Sequence, residues 1–144
     1  MSLGKISAVS IAGASVLAVE WEDGKCGRID LSAMIAGHKA LAPLANAKQF
    51  SRAGVSSDGW SLEWPCGIDF GTTQLRRWAD EQSGEAMLSA DFRKWMEANG
   101  LTLDNAAKAL GLSRRTIAYY LSGEQPVPKT VLLATIGYGR QRAA

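Results

Sequence analysis

Two adjacent arginines, Arg114 and Arg115, are the side chains of this sequence whose type and position best suit molecular recognition. A guanidinium group can bond the O6 and N7 atoms of guanine bidentately, which discriminates against a wrong base by about 1 to 3 kcal/mol. Both arginines directly follow Ser113 at the start of a predicted helix, and helix N-termini attract phosphate groups. This combination predicts an outer helix face that meets a polyanion.

Polar residues near the two arginines could complete such a surface. Helical spacing places Ala118, Tyr119 and Ser122 on the same outer face, and it favours Tyr120 pointing inward beside Ile117. The expected base contacts are Arg114, Arg115 and Tyr119, and the expected phosphate contacts are Thr102, Thr116 and Ser122.

A tight turn must hold this helix at an angle to the preceding one. Gly111 tolerates a positive φ, Leu112 supplies an apolar plug beneath the turn, and Ser113 can cap the second helix. Thr102 can cap the first helix in the same way. The residues expected to face the core are Leu103, Ala106, Ala107 and Leu110 on the first helix and Ile117 and Leu121 on the second. The second helix is then expected to present both guanidinium groups outward, without intramolecular partners.

A plain helical hairpin that contacts only protein would share the glycine turn and the apolar spacing. It would not need the capped Ser-Arg-Arg-Thr opening of residues 113–116. The pattern therefore favours nucleic-acid binding over protein contact.

The segment from Leu101 to Gly123 resembles the lambda-repressor and Cro-like (Xre-type) helix-turn-helix family. The shared run is Leu-Thr, then Ala-x-x-Leu-Gly-Leu-Ser, then Thr-Ile, then Leu-Ser-Gly, with a proline before the fourth helix. The resemblance implies a first helix over residues 89–99 and a fourth helix that starts at Pro128. One position departs from the family pattern, because Leu103 stands where many members carry a Gln that touches a phosphate.

The same resemblance implies a function. It predicts a sequence-specific transcriptional regulator that binds double-stranded DNA as a homodimer, with the recognition helix 113–122 in the major groove and half-sites about one helical turn apart. The predicted DNA-binding residues are Thr102, Ser113, Arg114, Arg115, Thr116, Tyr119 and Ser122.

The sequence pattern of the first half of the chain is typical of strands and turns. Alternating apolar residues predict strands over 6–11, 16–21 and 28–31, with a hairpin turn at Glu22-Asp23-Gly24, and then a short helix with Ser32 as its N-cap. Residues 38–46 are expected to hold a helix end followed by a turn at Pro43. Two further strands are predicted over 50–55 and 60–64, joined by an Asp58-Gly59 turn, and a helix begins near Thr73 and breaks at residues 81–85.

This order predicts a two-domain fold. An α+β domain with a small antiparallel sheet and short helices spans residues 1–82, and an all-α, lambda-repressor-like helix-turn-helix domain spans residues 86–140. The charge changes at the same boundary: eight Lys and Arg face nine Asp and Glu up to Gly84, whereas eight face five from Glu85 onward. The excess of positive charge in the second part suits a polyanionic partner.

The first domain resembles a small bacterial domain family of unknown function. The residues that carry the resemblance are Trp21-Glu22-Asp23-Gly24, Ile29-Asp30-Leu31, Leu44, Phe50 and the run from Leu62 to Asp69. Members of that family stand alone or precede a helix-turn-helix, and they are associated with toxin-antitoxin pairs. The resemblance implies an α+β fold and no established activity, and the toxin-antitoxin association suggests a cognate toxin as a partner. An antitoxin or protein-interaction module without strong DNA binding therefore stands as an alternative. A third hypothesis is a small-molecule sensor in which the first domain controls the DNA affinity of the second.

The sequence predicts no catalytic residue, no metal site and no cofactor, so we do not expect an enzyme. Asp30, Glu63 and Asp69 are carboxylates near strand ends, which usually cap turns, and no His or Cys accompanies them. Cys26 and Cys66 lack the spacing of a zinc site.

Other features of the sequence predict scaffold and a cytoplasmic protein. Trp60, Trp64 and Trp78 are expected in the core. Residues 6–19 contain Gly13 and Ser15 and are too polar for a membrane span, which predicts a cytoplasmic protein without membrane contact. Residues 138–142 are expected to form a frayed basic tail that contacts the phosphate backbone of DNA.

Overall fold

The computed structural model describes residues 4–143, with side chains described up to residue 140. The chain divides into two compact units, residues 1–82 and 83–144. The first unit contains small antiparallel sheets with short helices, and the second is built mainly of helices. The predicted fold class, an α+β part followed by an all-α part, is confirmed.

The first unit holds six strands, three α-helices and one 3-10 helix among the described residues. In chain order these are β1 (Ile6–Gly13), β2 (Val16–Trp21), β3 (Cys26–Asp30), α1 (Ser32–Gly37), the 3-10 helix (Lys39–Ala45), α2 (Ala47–Phe50), β4 (Gly54–Val55), β5 (Ser61–Glu63), β6 (Asp69–Gly71) and α3 (Thr72–Ser83). Strands β1, β2 and β3 form one antiparallel meander, and β4, β5 and β6 form another. The two predicted hairpin turns are confirmed, with Gly24 at φ +89° and Gly59 at φ +80°.

Several predicted boundaries in the first unit are wrong. Ser32 is the first residue of α1 rather than its cap, and its N–H donates to the Asp30 carboxylate at 2.9 Å. Residues 39–45 form a 3-10 helix instead of a helix end and a turn. The strand predicted from Phe50 is confined to β4, because Phe50 ends α2. Strand β6 was not predicted, since its three residues are too few to show an alternating pattern.

Tryptophans anchor the core of the first unit. Trp21 is 1% exposed, and its Nε1 donates to Thr72 Oγ1 at 2.8 Å, while that hydroxyl donates to the Gly4 carbonyl. Trp64 is buried, and its Nε1 donates to the Phe50 carbonyl at 3.0 Å. The prediction that Trp60 is a core residue is wrong, because its side chain is 45% exposed. Trp21 and Trp64 thus each have a polar partner that fixes the position of the indole.

The second unit contains four α-helices and a short two-stranded ladder among the described residues. Its elements are β7 (Ala86–Met87), α4 (Ser89–Ala98), α5 (Leu103–Leu110), α6 (Arg114–Ser122), β8 (Val127–Pro128) and α7 (Lys129–Ala143). Strands β7 and β8 pair antiparallel. Pro128 therefore lies in β8, and the fourth helix starts one residue later than predicted. The prediction of a frayed tail over residues 138–142 is also wrong. Helix α7 continues through this segment, and the Tyr138 ring packs edge to face on Trp95, with the ring centroids 5.5 Å apart.

The turn between α5 and α6 has the predicted backbone. Gly111 ends α5 at φ +69° and ψ 30°, in the left-handed region that favours glycine. The Leu112 N–H donates to the Ala107 carbonyl at 2.9 Å, and the Leu112 side chain packs against the core of this unit. Ser113 then caps α6, as its Oγ accepts the Thr116 N–H at 3.1 Å. Three consecutive residues thus end one helix and begin the next.

Replacing Thr72 with Val should destabilise the first unit by about 1 to 3 kcal/mol, because the buried Trp21 N–H would have no acceptor. Thr73 is the matched control, since it is the next residue of α3 and is exposed. Hydrogen exchange of β2 amides measures the effect within this unit. Equal protection in Thr72→Val and Thr73→Val would contradict the role assigned to this hydrogen bond.

Replacing Gly111 with Ala should destabilise the second unit by about 1 kcal/mol, because an L side chain is strained at this φ. Gly137 offers the opposite case: it lies inside α7, where Ala is favoured over Gly by about 0.5 to 1 kcal/mol. An added Cβ meets no atom within 4 Å at either position, so backbone conformation alone should decide both signs. Hydrogen exchange of α6 amides should slow in Gly137→Ala and accelerate in Gly111→Ala.

Candidate nucleic-acid interface

Helix α5 begins at a side-chain cap and packs closely on the core. Thr102 Oγ1 accepts the Asn105 N–H at 3.2 Å, which confirms the predicted cap. Ala106 and Ala107 are buried, and their small side chains let a neighbouring helix approach closely. The predicted inward face is confirmed, with Leu103 and Leu110 packed against the same core.

Helix α6 is held by aromatic and aliphatic contacts on its inner face. Ile117 is fully buried, and the Tyr120 ring packs edge to face on Phe92 at 5.5 Å. Burial raises the pKa of the Tyr120 hydroxyl above its ordinary value. Leu121 packs against the same core. The predicted inward orientation of Ile117, Tyr120 and Leu121 is therefore confirmed.

An arginine on α4 also stabilises the end of α6. Arg93 Nη2 donates to the Leu121 carbonyl at 3.3 Å, and this carbonyl belongs to the last turn of the helix, where carbonyls lack helical partners. No pattern in the sequence indicates this contact, because the two residues lie far apart in the chain. It fixes α6 at its C-terminal end, opposite the Ser113 cap.

Arg114 extends from the first turn of α6 toward the N-terminus of α5. Its Nη1 lies 3.7 Å from Asp104 Oδ1, and both side chains are 66% exposed. The predicted absence of an intramolecular partner is therefore wrong for Arg114. Exposed ion pairs of this kind contribute about 0 to 1 kcal/mol, so the guanidinium group stays available for exchange with another anion.

Arg115 packs along α6 against the side chain one turn later. Its Nε donates to the Tyr119 hydroxyl at 2.7 Å, and its Cζ lies 5.3 Å from the centre of the Tyr119 ring. The prediction of a free guanidinium is wrong here too, since helical neighbours four residues apart meet on one face. The two arginines thus point in different directions, one toward α5 and one along α6.

The hydroxyl groups predicted to touch phosphate differ in what they can still donate. The Thr102 hydroxyl accepts the Asn105 amide and keeps its own proton for an outside acceptor. The Ser113 and Thr116 hydroxyls lie 2.9 Å apart, so one of the two protons is shared between them. Ser122 Oγ donates to the Tyr119 carbonyl at 3.2 Å, which occupies its proton. Thr102 is therefore the best placed of the three predicted phosphate contacts.

Two carboxylates of the first unit, Asp30 and Asp58, accept hydrogen bonds from residues close to them in the chain. The Ser32 side chain and N–H lower the pKa of the Asp30 carboxyl, while the Ser56 hydroxyl and the Trp60 N–H lower the pKa of Asp58. No group of three or more His, Cys, Asp or Glu that could hold a metal occurs in the part of the chain that the structure describes. Cys26 and Cys66 are free, exposed thiols. Within residues 4–143, every helix is too short or too polar to cross a bilayer.

Comparison with known proteins finds one matching protein family for each of the two units. The family described as "Protein of unknown function (DUF2442)" matches residues 6–81, and the family described as "Helix-turn-helix domain" matches residues 87–138. A domain of unknown function ahead of a helix-turn-helix was predicted from the sequence and is confirmed. The lambda-repressor type and the toxin-antitoxin association stay predictions. No curated protein matches the chain.

A solved structure is similar over both units. It is that of a protein of Nitrosomonas europaea ATCC 19718 described as a "Putative DNA Binding Protein". The two chains are 32% identical, the match covers 96% of this chain and 88% of the other, and the TM-score is 0.56. Together with the family match over residues 6–81, which is more than half of the 144 residues, this likeness shows that the chain belongs to the DUF2442 family of proteins of unknown function and carries a helix-turn-helix domain after that region.

Proposed function

We propose that this protein binds double-stranded DNA in a sequence-specific manner and acts as a transcriptional regulator. Helix α6 enters the major groove, which is wide enough to admit an α-helix. The helix-turn-helix match over residues 87–138 and the likeness to a protein described as DNA-binding support this proposal.

The observation that carries the proposal is the pair of exposed arginines in the first turn of α6. A buried inner face seats the helix through Ile117 and Tyr120, so the outer face is left to solvent with Arg114 and Arg115 at its N-terminal end. Guanidinium groups at this end of a recognition helix suit base edges and phosphates together. Hydroxyl and amide groups at the ends of α5 and α6 would supply the contacts with the DNA backbone that fix the helix in the groove.

The partners of the two arginines in the free protein do not oppose this role. The ion pair between Arg114 and Asp104 is exposed and is screened by salt, so a DNA phosphate or base can replace it at little cost. The Arg115 contact with Tyr119 uses one donor of five. Both side chains therefore retain donors for DNA.

The homodimer is part of the proposal. Two copies related by a twofold axis would place two α6 helices in successive major grooves, about one helical turn apart, and read a palindromic operator. The absence of enzymatic activity also stays a prediction. A toxin partner rests on the resemblance of the first domain alone, and the non-DNA-binding alternative would be favoured by co-purification of such a partner without DNA retention at low salt.

Replacing both Arg114 and Arg115 with Ala should abolish sequence preference and lower affinity for a selected duplex at least about tenfold. The duplex is obtained by selection from a randomised pool with the purified full chain, and affinity is measured by fluorescence anisotropy at several salt concentrations. The slope of log affinity against log salt should decrease by about one for each phosphate that the variant no longer neutralises.

The matched control is Lys39→Ala with Lys48→Ala, which removes the same charge from exposed positions of the first unit. This variant should keep the base preference of the wild-type protein. Unchanged specificity in the double arginine variant, or an equal drop in affinity in both variants, would contradict the proposed interface.

Replacing Asp104 with Asn should raise DNA affinity by about fivefold at low salt, because one negative charge beside Arg114 is removed. In water, the interaction energy between two unit charges this close together is up to about 1 kcal/mol, which corresponds to about a fivefold change in affinity. Asp91→Asn is the control, since Asp91 also lies in the first turn of a helix of the same unit and the change in net charge is identical. A rise of the same size in both variants would show that net charge alone, and not the Arg114 neighbourhood, sets the affinity.

A further inference from the structure

We propose that Tyr119 is a positioning residue, which locks Arg115 along α6 so that only the outer end of its guanidinium group reads a guanine. This inference rests on the proposed DNA-binding function. It gives Tyr119 a different role from the direct base contact that helical spacing alone predicts.

Two contacts hold Arg115 on Tyr119. The Nε-to-hydroxyl hydrogen bond at 2.7 Å fixes the inner edge of the guanidinium group, and the guanidinium Cζ lies over the ring, 5.3 Å from its centroid. The hydrogen bond is directional, and the attraction between the cation and the ring adds to it. A long side chain with many rotamers is thereby restricted before any ligand arrives.

The arrangement of donors decides which edge of Arg115 remains for recognition. A guanidinium group has a side edge that includes Nε and an end edge formed by the two Nη atoms. Because Nε donates to Tyr119, the side edge cannot offer two parallel bonds, whereas the end edge keeps both. Two parallel N–H donors match the O6 and N7 acceptors of guanine.

Arg114 differs from Arg115 in this respect. Its partner is a carboxylate on another helix at 3.7 Å, with both side chains largely exposed, so the pair holds the guanidinium loosely. The contacts described for Arg115 instead come from a neighbour one turn along its own helix. We therefore assign the sharper base preference to Arg115, because a restrained side chain loses less entropy on binding.

The experiment measures base discrimination at each position of a selected duplex for the wild type, Tyr119→Phe, Arg115→Ala and the double variant. Tyr119→Phe keeps the ring and removes only the hydroxyl. It should lower the preference for guanine at one base pair by about fivefold, which is the range of one hydrogen bond, and leave the other positions unchanged. Arg115→Ala should remove the preference at the same base pair, and adding Tyr119→Phe should then have no further effect.

Hydrogen exchange in the absence of DNA tests whether Tyr119 holds Arg115 in the free protein. The Nε proton of Arg115 should exchange with water more slowly in the wild type than in Tyr119→Phe, while the Nε proton of Arg140, which is exposed on α7, should be unchanged. Equal exchange rates of this proton in the two proteins would overturn the proposed positioning of Arg115 by Tyr119.

A modified duplex tests which acceptor the end edge reads. Replacing guanine by 7-deazaguanine at the affected base pair removes the N7 acceptor. This change should weaken wild-type binding more than binding by Arg115→Ala, and an equal effect on both proteins would contradict the assignment of this guanine to Arg115.

The outcomes separate the positioning role from DNA binding itself. If the wild type selects a duplex and Arg115→Ala loses one guanine preference while Tyr119→Phe retains it, the positioning role is overturned and DNA binding stands. If Tyr119→Phe changes the preference at a different base pair from Arg115→Ala, Tyr119 reads a base itself and the inference is again overturned. If the wild type selects no duplex, both proposals fail together.

Discussion

The left-handed backbone at Gly111 is the constraint on which the proposed DNA-binding surface depends. Because α5 ends there, the chain can change direction over the three residues 111–113 and start α6 directly after Ser113. The direction of α6 is then fixed at its N-terminus by the Ser113 cap and at its C-terminus by Arg93, which donates to the Leu121 carbonyl. Together with the burial of Ile117 and Tyr120, these contacts set which residues of α6 face outward.

The inner face of α6 and its outer face are coupled through adjacent residues. Tyr119 and Tyr120 follow one another in the sequence, yet one packs against Phe92 in the core and the other supports Arg115 at the surface. A shift of the helix by one residue would bring either Tyr119 into the core or Tyr120 to the surface. The buried tyrosine therefore also sets which residues of α6 lie at the surface, so core packing determines the face that this helix presents to solvent.

Many local features of the sequence were predictable, although the contact of Arg115 with Tyr119 one turn later was missed, and features that depend on distant residues were not. The caps at Thr102 and Ser113, the turn glycines and the inward face of α6 were predicted correctly, because each is decided within a few residues of chain. The exposure of Trp60 and the end of α2 at Phe50 were missed, since both follow from packing between separate segments. The same holds for the candidate site: helical spacing identified the outward residues, but the Asp104 partner of Arg114 depends on the angle between two helices.

The pairing of β7 with β8 joins the start of the second unit to a point just before its last helix, with Ala86 opposite Pro128. The helices between them are thus enclosed in a chain loop that this short ladder closes. Closing a loop of this length is entropically costly, whereas α4, α5 and α6 are connected by short segments. We expect these three helices to associate early in folding and the ladder with α7 to join last, so that α6 is formed before its own domain is complete.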